Sequence, residues 1–147
     1  MKELESVDEI LLRKILECPS STPKEMLYLE LGVLPIRYII MMRRLNFLQY
    51  ILYEDKNSLI HSFLKTQLKK PTPKDWGQTV LADIKALNLK LSIDDIENKA
   101  RTSFKNLVKN TVTNEALKYL NDEKKSHSKV SHIVHKHLEM EKYLKTM

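Results

Sequence analysis

The side chains of this sequence best suited to chemistry are few. Asp94 and Asp95 are adjacent carboxylates, and carboxylates can hold the metal ions of a nucleotidyl-transfer site. That chemistry needs them to converge from separate elements on two ions about 4 Å apart. Here the pair directly follows Ser92, a residue type that caps helices, and acidic groups in a first helical turn stabilise the helix dipole. Capping is the expected role. His127, His132, His135 and His137 fall within eleven residues, and His132 and His135 have ligand-like spacing. Zinc sites usually draw on cysteines or a second well-placed pair, whereas Cys18 lies more than a hundred residues away. A solvated basic tail that contacts a polyanion is expected over a metal site. His61 reads as a packing or surface residue. With two glycines in the chain, there is no Gly-rich turn to cradle phosphate, and neither a P-loop nor a nucleophile elbow is present. No cofactor, no metal and no catalysis are expected of this chain.

The cations carry more information. The formal net charge is +6, but residues 1–31 hold four basic against seven acidic side chains, a balance of −3, so the remainder carries +9. Such a basic body favours a polyanion, through neutralisation of phosphates. The candidate phosphate contacts are Arg43 and Arg44, Lys69, Lys70 and Lys74, the line Arg101, Lys105 and Lys109 spaced one helical turn apart, and Lys129 in the tail. Contacts of that kind fix position without reading bases, so weak sequence preference and strong salt dependence are expected. The competing reading is a lysine-rich solvated surface.

These residues must be held by helices. Leu34–Tyr53 is apolar on nearly every side, with Pro35 placed to start a helix; the pattern is that of a central helix enclosed by others. Its polar exceptions include Arg37 and Arg44, which share one side and predict a seam open to solvent or to an acidic partner. Arginines in mid-segment argue against a membrane span. Before it, Ser6–Cys18 reads as a helix with a Ser6/Glu9 capping box and an apolar face of Val7, Ile10, Leu11, Ile15 and Leu16. A second helix follows, with Thr22 as cap, Pro23 in the first turn and Gly32 at its C-terminal end. After the polar turn at 54–57, Asn57 or Ser58 caps a helix with Ile60, Phe63, Leu64 and Leu68 inward, closed by Lys69-Lys70-Pro71. Thr72-Pro73 opens the next, with a Trp76, Val80, Ile84, Leu87 stripe in which Trp76 is expected to be a core anchor beneath a helix junction, with nucleobase stacking as the lesser alternative. Ser92 caps a short turn, Ile93–Asn98, with Asp95 at its third position. Residues 102–121 form the last long helix, burying Phe104, Val108, Val112, Ala116 and Leu120.

The expected fold is all-α: a compact orthogonal bundle of five or six helices over 1–125 around the central helix, with a His/Lys-rich, less ordered tail at 126–147. Similar Thr-Pro starts at 22–23 and 72–73 reflect a shared capping solution, not a repeat. At 147 residues the chain fits one domain. A single cysteine fits a reducing compartment, and the charged start holds no apolar signal region, so an intracellular setting, cytoplasmic or nuclear, is expected.

Some words in the sequence go beyond composition. Glu25-Met26-Leu27-Tyr28-Leu29-Glu30-Leu31-Gly32, Pro35-Ile36-Arg37-Tyr38-Ile39-Ile40 and Arg43-Arg44-Leu45-x-Phe47-Leu48 are followed in order by Asn57-Ser58-Leu59-Ile60, Lys74-Asp75-Trp76, Phe104-Lys105-Asn106 and His127-Ser128-Lys129-Val130-x-His132-Ile133. Across nearly the whole chain this resembles the region C-terminal to the polymerase core in LINE-type (non-LTR) retrotransposon reverse transcriptase polyproteins. The resemblance implies a non-catalytic helical segment. In such polyproteins the polymerase aspartates lie upstream and a Cys/His zinc-knuckle-like motif often lies downstream; neither occurs here. At Ala100 relatives tend to carry a capping Ser, which leaves Asn98 or Thr102 as substitute caps for the last helix. The implied partners are RNA or DNA and the reverse transcriptase core. The alternatives are a protein-interaction module that docks on that core or self-associates, and a degenerate retroelement remnant without activity.

Overall fold

The computed structural model describes residues 1–54 and 56–125, and within them the chain forms seven α-helices and no strand. The helices are α1 (Lys2–Leu16), α2 (Lys24–Leu31), α3 (Ile36–Glu54), α4 (Leu59–Lys69), α5 (Trp76–Ala86), α6 (Ile93–Asn98) and α7 (Arg101–Lys125). Contacts cluster into two units. One comprises Met1–Arg37 and the chain from Glu115; the other comprises Tyr38–Asn114. Both borders fall inside helices, near the start of α3 and just past the middle of α7. The all-α helical bundle expected from the sequence is what the described residues form, with seven helices in place of five or six.

The first unit has a small core of Leu12, Leu27, Tyr28 and Leu120, with Leu16, Cys18, Leu29, Leu31 and Tyr119 packed against it. Its helices end cleanly. Glu17 and Gly32 both adopt left-handed φ, and at Gly32 the N–H groups of Gly32 and Val33 return to the carbonyls of Leu29 and Tyr28, the double bond of a Schellman cap. The beginnings differ from expectation. Helix α1 starts at Lys2 with the Glu5 N–H bonded to the Met1 carbonyl, so Ser6 and Glu9 lie within the helix and cannot form a capping box. Helix α2 starts at Lys24, with Pro23 as its N-cap in place of Thr22. Most of the predicted apolar face of α1 is also turned away from the core: Leu12 is buried and Leu16 packs beside the core, whereas Val7, Ile10, Leu11 and Ile15 are exposed. Tyr28 fixes the helix rotation by donating its hydroxyl to Asp8 at 2.9 Å. Burial, with that bond and the nearby carboxylates, pushes the Tyr28 phenol well above its usual range.

In the second unit the buried apolar residues are Leu45, Leu48 and Leu52 of α3 with Leu64, Val80, Leu87, Ile96, Phe104, Val108 and Val112. The α7 positions recur every four residues as expected, and Ala116 and Leu120 continue the buried row into the first unit. Helix α7 begins with the Ala100 carbonyl accepting the Phe104 N–H. The Ser92–Asp95 capping box is fully formed: Asp95 N–H donates to Ser92 Oγ, and Ser92 N–H to Asp95 Oδ2. The Ser92 hydroxyl and N–H bonds hold the Asp95 carboxyl below its usual range. Ser58 Oγ caps α4 by accepting the His61 N–H. Its inward residues are His61 and Leu64, whereas Ile60 and Phe63 are exposed, against expectation. Gly77 lets α4 and α5 approach closely, since a Cβ there would lie 3.2 Å from that of Gln67, a tight contact that would push the two a few tenths of an ångström apart.

Candidate nucleic-acid interface

The rotation of α3 decides what the second unit shows to solvent. Leu45, Leu48, Gln49 and Leu52 lie at i, i+3, i+4, i+7 and are buried, one face of the helix. Two polar anchors hold that face inward. Arg44 makes a two-pronged pair with Asp83 of α5, Nε to Oδ2 at 2.7 Å and Nη2 to Oδ1 at 2.9 Å. Gln49 Nε2 donates to the carbonyls of Lys99 at 2.9 Å and Ile96 at 3.4 Å, at the end of α6. With 45, 48, 49 and 52 inside, the stripe Arg43, Phe47, Tyr50 faces out.

The helix is therefore not enclosed on all sides as its composition suggests. Phe47, Tyr50 and Tyr53 are 53%, 45% and 43% exposed. The rings form a connected row: Trp76 meets Phe47 edge-on at 5.9 Å, and Phe47 lies nearly parallel to Tyr50 at 6.2 Å. The Arg101 guanidinium sits over the Tyr50 ring, 5.1 Å from its centre, within cation–π range. Trp76 is half-buried at the end of this row, not sealed in the core.

The predicted cations separate into distinct groups. Arg44 serves α3–α5 packing, so it cannot be a free phosphate contact, and its acidic partner lies within the chain. Arg37, in the first unit, likewise faces Glu5 at 3.5 Å and lies over the Tyr119 ring at 4.0 Å. Arg43, Lys69, Lys70, Lys74, Lys105 and Lys109 are exposed, and none is in an ion pair among the described residues. Lys70 ends α4 as its C-cap. Lys74 has left-handed φ, and beyond it Asp75 accepts the Thr72 N–H at 3.1 Å. Lys69 with Lys65, Leu68, Ile93 and Asp94 lines an open cleft of about 400 Å³. Arg101 leads Lys105 and Lys109 along α7, bringing that line toward the aromatic row at its Arg101 end. Lys129 and His127, His132, His135 and His137 lie outside the described residues.

A buried polar cluster links α4 and α6, with no local signal in the sequence. Glu97 of α6, 7% accessible, receives Lys65 Nζ at 2.7 Å, His61 Nε2 at 3.3 Å and Lys56 Nζ at 4.0 Å. The Lys65 hydrogen bond, with help from His61 and Lys56 and against burial, holds the Glu97 carboxyl below its usual range. His61 is thus buried and partnered. No group of His, Cys, Asp and Glu among the described residues is arranged to hold a metal, and Asp94 and Asp95 begin a helix as expected of caps.

No protein-family model matches this chain, and no curated protein or solved structure matches it. Among the described residues no helix is long and apolar enough to cross a membrane.

Proposed function

We propose that the chain is a non-catalytic accessory segment of a LINE-type retrotransposon reverse transcriptase polyprotein, holding RNA or DNA against the polymerase through phosphate contacts. The carrying observation is electrostatic. Residues 38–114 contain thirteen lysines and arginines against seven acidic residues, so the whole net +6 belongs to the second unit and the rest of the chain is neutral. Six of those cations, Arg43, Lys69, Lys70, Lys74, Lys105 and Lys109, stand exposed and without ion pairs among the described residues. Exposed cations that are not already neutralised by carboxylates are what counterion release needs. The test is binding of a fluorescent oligonucleotide at low salt by the full chain and by Lys69→Glu/Lys70→Glu/Lys74→Glu. Reversal of three contacts is expected to weaken binding at least about tenfold with helicity unchanged. Equal affinity would overturn the assignment.

A second reading, as a protein-interaction module, is favoured by apolar side chains left in water. On α1 these are Leu4, Val7, Leu11 and Ile15, spaced to share one side; on α4 they are Leu59, Ile60 and Phe63, with Leu59 86% exposed. Exposed apolar stripes of this kind mark docking surfaces, here for the polymerase core or a second copy. Light scattering separates the two readings: a monomer at every concentration that binds nucleic acid supports the first.

A further inference from the structure

We infer that the row Trp76–Phe47–Tyr50 is a base-stacking platform, which would make single-stranded nucleic acid the ligand of this surface in preference to duplex. The inference rests on the proposed phosphate-binding role and adds what that role leaves open. Lysines alone recognise any polyanion; exposed aromatic rings recognise something more. Phe47 and Tyr50 leave about half their surface in water, and what separates them from the exposed Leu59, Ile60 and Phe63 of the same unit is that their rings stand in one connected row with Trp76 and beside cations. Packing does not demand this, because the buried face of α3 is already complete with Leu45, Leu48, Gln49 and Leu52.

Cations flank the rings. Arg43 precedes Phe47 by one helical turn and is exposed; Arg101 lies over Tyr50; Lys105 follows Arg101 by one turn on α7. Rings that accept base faces, bordered by cations that track the backbone, are the working parts of single-strand binding sites. Charge complementarity favours this occupant over another protein's apolar face. Duplex would gain only the cations, since its bases are already stacked on one another.

The decisive comparison uses the unmodified full chain. An oligothymidylate of about ten nucleotides, within the range such sites cover, is titrated beside an abasic strand of equal length and charge and beside a duplex. Thymidylate has little self-stacking to lose. Stacking is expected to give the base-bearing strand roughly 5- to 100-fold tighter binding than the abasic one. Trp76, the only tryptophan, is expected to change its fluorescence with the base-bearing strand and not with the abasic one. Phe47→Leu and Tyr50→Leu, at exposed positions, should erase the base-dependent gain while leaving abasic binding and helicity in place.

The outcomes are distinct. Equal affinity for thymidylate and abasic strands overturns the platform while leaving phosphate binding intact. No binding of any strand at low salt overturns both readings. A concentration-dependent increase in mass that Phe47→Lys abolishes, with no base-dependent affinity, would assign the rings to a second copy of this chain and also overturn the inference.

Discussion

Two neighbouring arginines provide the sharpest separation of structural from functional charge. Arg44 meets Asp83 through two hydrogen bonds of 2.7 and 2.9 Å, with side chains 22% and 9% accessible. Arg43 points to water with no ion pair among the described residues. Replacing Arg44 with Met keeps the aliphatic packing but leaves the Asp83 carboxylate buried without its cation. Breaking a buried pair costs about 3–5 kcal/mol, and because solvent still reaches Arg44 the lower end applies, about 3 kcal/mol. For a chain of this size that corresponds to a melting temperature roughly 10 °C lower. The double change Arg44→Met/Asp83→Leu should recover most of the loss, since neither charge is then stranded. Arg43→Ala should shift stability by less than about 0.5 kcal/mol while weakening oligonucleotide binding. Urea unfolding followed by helical circular dichroism gives the stabilities. If Arg44→Met unfolds with wild-type midpoint, or if the two single variants lose equal stability, the assignment of α3's inner face is wrong.

Glu97 gives a pH dependence of definite sign. Its carboxyl is held below the ordinary range by Lys65, His61 and Lys56, so it stabilises the fold above the unfolded carboxyl pKa, near about 4.3, and that contribution is lost as pH falls through the folded value. Wild type should therefore exceed Glu97→Gln in urea midpoint from pH 5 to 7, with the gap closing below about pH 4; a gap undiminished in acid would contradict the linkage. On α1, Leu12→Ala should cost about 2–4 kcal/mol and Leu11→Ala less than about 0.5 kcal/mol, by the same unfolding assay. Equal losses would mean that the face of α1 carrying Leu11 is covered.

Helix positions were legible where local chemistry sets them. The Ser92–Asp95 box, the Ser58 cap, the Gly32 terminus and the four-residue rhythm of α7 are each decided within one or two turns. What could not be read locally is which side of a helix finds a neighbour. Helix α1 has apolar residues around more than one side, and Leu12, the one that is buried, lay outside the predicted face. In α3 apolar side chains fill the circumference, so composition suggested full enclosure; the rotation depends on Arg44 finding Asp83 and Gln49 finding the end of α6, contacts 39 and about 50 residues apart. The aromatic row had only a partial signal. Arg43, Phe47 and Tyr50 repeat at i, i+4, i+7, but the equally placed cation Arg44 turns inward to Asp83, so a cation on a stripe does not by itself say that the stripe meets water. The Glu97 cluster had none, since His61 and Glu97 are brought together only by the packing of α4 on α6.

The salt dependence of oligonucleotide affinity bears most directly on the role given to the second unit. The six exposed cations without ion pairs among the described residues set an upper limit for single strands of about −0.7 per phosphate neutralised, a slope near −4 in log affinity against log salt, and each of Arg43→Ala and Lys105→Ala should reduce it by about 0.7. A slope between about −2 and −4 that falls in those variants is the expected result; affinity that stays flat from low to high salt would contradict a phosphate-binding surface.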